Sequence, residues 1–225
     1  SMLHPCRVTR SGIAAAIFAV GACVLSWIAL KTCGSCCLHG APLGAPSLGL
    51  AALHGVLAIG VLTDRPWARW LGIGVGFYWV LGATMLDETG PDAMAWTLAA
   101  LHAPLPLLLA KPDGIHARTS VTLLLAGFAL PIVIGLGLVE LSWFSTSWTR
   151  VAGMGLVLVG AIGLCRERTL GLLLVGAGGL AFLGGGLIDP VALQERRLDD
   201  AFIAAVPLLA ALLPFAKPIA RFLRG

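Results

Sequence analysis

At 225 residues, with 58% hydrophobic and only 12% charged residues and a mean hydropathy of +0.94, the chain lacks the polar surface that a soluble domain of this length turns to water. Its solvent is therefore lipid, and the +4 net charge reads as membrane-side bias rather than a nucleic-acid footprint. No hydrolase, kinase or nucleotide signature occurs, and the glycine-rich runs lack the Lys-Ser/Thr that follows in a phosphate loop.

Polar interruptions leave eight apolar stretches, roughly 11–30, 47–63, 68–86, 94–110, 119–140, 150–164, 169–188 and 200–216. A spanning helix needs about 20 apolar residues, with about 17 tolerated, so several stretches are short and are supported by the alternation of loop charge. The expectation is an all-α membrane bundle of eight transmembrane helices, or seven if 150–164 and 169–188 form a re-entrant pair. The first stretch follows Arg7 and Arg10 as in a signal peptide, but its apolar run is longer than such a core and no Ala-x-Ala-like site follows, so a retained helix is expected. Ser1 ahead of Met2 reads as a tag remnant.

With a cytoplasmic N-terminus, eleven of the fifteen basic residues lie inside: Arg7, Arg10, Arg65, Arg69, Lys111, Arg118, Arg166, Arg168, Lys217, Arg221 and Arg224. Lys31, Arg150, Arg196 and Arg197 lie outside. This asymmetry predicts a multi-pass inner-membrane protein with both termini cytoplasmic. The inner turns Asp64 to Arg69 and Arg166 to Arg168 are expected to be tight, their charges setting topology. Trp27, Trp96, Trp143 and Trp148 read as an outer aromatic belt, and Trp67 and Trp70 as an inner one.

Residues 62–87 overlie 164–189 at a shift of 102, matching Leu62, Gly74, Gly76, Leu81, Gly82 and Asp87 with Leu164, Gly176, Gly178, Leu183, Gly184 and Asp189. Ser26-Trp27 corresponds to Ser142-Trp143, and Ala110-Lys111-Pro112 to Ala216-Lys217-Pro218. Two tandem four-helix repeats of one orientation are therefore expected, over 2–112 and 113–225. The first would carry an added Cys/His-rich outer loop over 32–46. Close glycine spacings such as Gly72/Gly76 suit helix contact in lipid. Pro104, Pro106, Pro131 and Pro207 are the candidate helix interruptions.

Three constellations can carry chemistry. Cys33, Cys36, Cys37 and His39 combine thiols with an imidazole within seven residues, which suits a structural disulfide, a soft or borderline metal ion, or thiol exchange. Paired cysteines beside a first membrane helix are similar to those of mercury-uptake membrane proteins, a likeness confined to this one short motif. His54 and His102 stand at one depth on helices that run the same way, as a haem ligand pair, a metal site, a proton relay, or ring donors to a neighbouring backbone. Asp87, Glu140 and Asp189 sit at the outer ends of their helices, as ion-binding carboxylates or solvated termini.

These features point to a small transporter or binding protein for an ion or small solute, its site in the outer half between the repeats. A membrane redox protein, using haem b or a metal at His54/His102 or thiol exchange at Cys33/Cys36, is the alternative. A structural subunit of a larger membrane complex is the third. The partners expected are the lipid bilayer, a small solute or metal ion, and copies of the chain or a larger membrane complex, with no nucleic acid.

Overall fold

The structure, a computed structural model, describes residues 9–36, 44–85, 93–110, 117–142, 148–166, 168–188 and 198–217, without the side chains of 33–36, 85, 140, 142, 186–188 and 198–201. The described residues are helices joined by turns, and they cover the core of all eight apolar stretches. In chain order these are α1 (Arg10–Cys36), α2 (Gly44–Leu62), α3 (Pro66–Met85), α4 (Ala93–His102), α5 (Leu105–Leu109), α6 (Ala117–Ser142), α7 (Trp148–Cys165), α8 (Thr169–Ile188) and α9 (Leu198–Ala210), with a 3-10 turn over Leu213–Phe215.

Local chemistry explains several boundaries. The Thr9 hydroxyl accepts from the Gly12 N–H at 3.1 Å and caps α1. Pro66 opens α3, where a missing N–H costs nothing. Between α2 and α3, Asp64 takes the left-handed conformation at φ 57°. The Arg65 N–H then reaches the Gly60 carbonyl at 2.9 Å and the Asp64 N–H reaches Val61 at 3.1 Å, a Schellman closure. The Arg168 N–H closes onto Gly163 at 2.9 Å in the same way between α7 and α8. Pro104 and Pro106 cannot donate to the carbonyls of Ala100 and His102, so α4 stops at His102 and α5 is separate. Pro131 and Pro207 instead lie inside α6 and α9.

Among the described residues, four helices are long and apolar enough to cross a membrane: α1 over Arg10–Thr32, α2, α6 over Ala117–Val139, and α7. Ala93–Leu109, Thr169–Gly185 and Phe202–Phe215 form shorter apolar helices. Leu30, Leu62, Leu107 and Leu170 point outward and are well exposed, as on a protein whose surroundings are acyl chains. Over 150–164 and 169–188 stand two helices of 18 and 20 residues. The outer loop expected over 32–46 is shorter than its sequence suggests: α1 continues through Cys36 and α2 begins at Gly44. Past Lys31 the helix keeps its bonding, with the Thr32 hydroxyl donating to the carbonyls of Ile28 and Ala29, each at 3.0 Å.

The core runs through every long helix: Phe18, Leu57, Val75, Leu123, Val157 and Phe182 are all fully buried. Helices α1 to α5 contact one another in a ring, α1 against α2, α2 against α3, α3 against α4 and α5, and these back onto α1. Helices α6 to α9 make a second ring in the same order. The rings join mainly where α3 crosses α6, and there glycine decides the approach. A Cβ at Gly74 would strike the Leu124 carbonyl, and one at Gly127 would strike the Leu71 carbonyl. With little hydrophobic drive between helices in lipid, such backbone contact is what holds them. At the far end of the second ring, the Thr122 hydroxyl donates to the Ala211 carbonyl at 2.8 Å.

Candidate functional site: a buried histidine pair

Four helices bring together the polar groups at the centre of the first ring. His54 lies midway along α2 and His102 ends α4, and both are 0% exposed. Their Nε2 atoms are 3.0 Å apart and the rings are nearly perpendicular, at 88°. His54 Nδ1 is 2.8 Å from the Leu50 carbonyl and His102 Nδ1 is 2.7 Å from the Leu98 carbonyl, each one turn back on its own helix. The indole N–H of Trp79 on α3 donates to His54 Nε2 at 3.1 Å.

Protonation follows from these partners. A carbonyl oxygen only accepts, so each Nδ1 must carry a hydrogen, and that assigns the tautomer of both rings. In neutral rings each Nε2 then holds a single lone pair and no hydrogen; the two nitrogens face each other at 3.0 Å, and that of His54 also accepts the Trp79 N–H. Two lone pairs at that separation repel, and one positive centre between them turns repulsion into attraction. The 3.0 Å separation is that of an N–H···N hydrogen bond, so a single added proton fits between the two rings without moving them.

Aromatic walls surround this centre. The Phe18 ring meets His54 and His102 edge-on at centroid distances of 5.8 and 6.0 Å, and Trp79 lies 5.8 Å from His102. Gly21 of α1 closes the remaining side: a Cβ there would come within 2.8 Å of His54 Cδ2 and 3.3 Å of His102 Cε1. No larger side chain fits without moving the rings.

A haem does not fit here. Axial ligation sets the two nitrogens about 4 Å apart, twice a metal–imidazole bond of about 2 Å, with a flat macrocycle between them. The observed 3.0 Å separation, closed in by Gly21, Phe18 and Trp79, has no room for that plane. A lone metal ion is less demanding. Held by both Nε2 atoms in tetrahedral geometry, it needs them roughly 3.3–3.4 Å apart, a few tenths of an ångström wider than they stand. Among the described residues, no third His, Cys, Asp or Glu joins them in a metal-binding group.

The remaining candidates lie elsewhere. Cys33 and Cys36 fall on the last turn of α1 with their side chains outside the described residues, as do Cys37 and His39 entirely. Asp87 and Asp189 are outside the described residues, and Glu140 is placed only by its backbone near the end of α6. The histidines sit inside the first ring rather than between the rings. The space between the rings is instead an apolar cavity of about 750 Å³ bounded by α2, α3, α6 and α7. Arg150, expected in an outer loop, is buried in the first turn of α7 at 2% exposure.

Sequence reasoning missed Trp79, Phe18 and Gly21. For Trp79 a signal existed: it stands about 20 Å along α3 from Pro66, within the span rather than at its inner end, and a buried indole N–H needs an acceptor. Comparisons with protein-family models, with curated proteins and with solved structures find no match for this chain.

Proposed function

We propose that the chain is a small inner-membrane transporter or ion-binding protein, eight spans in two tandem four-helix units with cytoplasmic ends, whose His54/His102 pair takes up and passes on one proton. The observation that carries this reading is the 3.0 Å approach of two Nε2 atoms whose rings have already committed both Nδ1 hydrogens to backbone carbonyls. A proton entering between them is shared as N–H···N, leaves on either side, and does not require the rings to move. The helix carbonyls that accept both Nδ1 hydrogens lower the cost of holding charge away from water. In this scheme Asp87, Glu140 and Asp189 deliver cations at the outer ends of the helices, and Cys33, Cys36, Cys37 and His39 guard that entrance. The basic-residue asymmetry of the sequence supports putting these groups on one side.

The test uses protein with isotopically labelled histidine in liposomes, read by solid-state NMR during a pH titration. One proton per molecule should be gained at the two Nε2 sites together, with the coupling of a shared hydrogen. Proton flux into dye-loaded liposomes should fall on the order of 10²-fold in His54→Gln or His102→Gln. Rings that titrate independently, with flux intact in both variants, would remove the pair from the function.

The same two nitrogens favour a second reading, a metal-binding membrane redox protein, because they need little widening to grip an ion. Stoichiometric copper in the purified protein, lost in either His→Ala variant, would select it.

A further inference from the structure

The cavity between the rings has a chemistry of its own, independent of the histidine reading and dependent only on the chain lying in a membrane. We propose that it binds an anionic phospholipid, one acyl chain along the groove and the headgroup phosphate at Arg65 and Arg166.

The groove runs along α2 from Gly49 to Arg65, about 24 Å at helical rise. An acyl chain spans roughly half of a hydrocarbon core about 30 Å thick, so the length is ample. The wall is aliphatic, including Val56, Ile134, Leu158 and Ile162. Among the described lining residues the only charges are Arg65 and Arg166, both at one end. They follow the two turns that close onto Gly60 and Gly163, Arg65 after α2 and Arg166 after α7, and both line this groove. Trp67 lines the groove beside them, with an amphipathic ring suited to the headgroup boundary. An apolar channel ending in two guanidinium groups complements a chain ending in phosphate, because guanidinium pairs with phosphate oxygens through fixed, charge-assisted hydrogen bonds. A zwitterionic lipid fills the channel equally well but brings its own cation to the arginines.

The test is titration of the purified full chain, in detergent, with phosphatidylglycerol or phosphatidylcholine carrying identical brominated chains, read as tryptophan quenching. Phosphatidylglycerol should bind more tightly, and Trp67→Phe should remove much of the quenching. Replacing Arg65 or Arg166 by Gln should cost about fivefold in affinity for phosphatidylglycerol each, with little change for phosphatidylcholine. Lys at both positions should retain part of the preference, because the charge stays while the guanidinium fork is lost. Ala52→Phe, which fills exposed space in the groove, should weaken both lipids alike. Arg118→Gln, on α6 and away from the groove, should alter neither. Equal binding of the two lipids, loss of selectivity in Arg118→Gln to the same degree, or a dimer in the native mass spectrum that shields Trp67 from quenching would overturn the proposal.

Discussion

Trp79 shows how one side chain converts two adjacent histidines into an ordered site. Its N–H occupies the His54 side of the Nε2 pair, which makes the two nitrogens inequivalent and biases a shared proton toward His102. Trp79→Phe keeps the ring packing and deletes the donor. It should cost about 0.5–1.5 kcal/mol in thermal unfolding and shift the His54 Nε2 resonance toward that of His102. An unchanged His54 resonance would mean that the indole does not bond the ring. Depth on the helix was legible for both histidines because helical rise is constant, and the two rings do meet. Their partners were not legible: Phe18 and Gly21 lie on α1, a helix apolar along almost its whole span, where no residue type marks the face turned inward.

Element boundaries were legible where backbone chemistry is local. The charged segments after Leu62 and Leu164 were expected to be tight turns, and each is closed by the same bond to a glycine carbonyl. Asp64 carries more than topology, however. It holds a left-handed backbone and pairs with the buried Arg69 of α3. Asparagine tolerates that backbone and a β-branched residue does not. Asp64→Asn should therefore unfold within about 0.5 kcal/mol of the parent, and Asp64→Val should lose about 1–2 kcal/mol, in thermal melts of the detergent-solubilised protein. Equal losses would place the cost in the ion pair instead of the turn. The extension of α1 through Cys36 was not legible, because Lys31 and Thr32 look like a helix end and only the hydroxyl bonds of Thr32 to its own helix show otherwise.

At the scale of the molecule, the two rings of helices share one internal order of contacts, yet they meet unequally. Helix α3 packs closely on α6, whereas among the described residues α1 and α8 make no comparable contact. The glycines that allow the α3–α6 crossing, Gly74 and Gly127, belong to a glycine-rich sequence in which many others meet nothing, Gly55 and Gly135 among them. The basic-residue asymmetry makes a separate prediction about the whole chain: tags at both termini should be protected from outside, and a cysteine introduced as Thr89→Cys should be labelled by an impermeant reagent. Labelling of that position only after permeabilisation would reverse the orientation assigned to every loop.

Composition and hydropathy order, which any arrangement of the helices would preserve, were enough to point to the helical class and to helices apolar enough to cross a membrane. Tertiary structure alone decided how far each helix is rotated about its axis. In a helix apolar on all faces that angle is set by interlocking side chains and by where glycine lets backbones touch. For this reason the meeting of His54 with His102, the recruitment of Trp79, and the opening of a lipid-sized groove between the rings could be read only from the packed molecule.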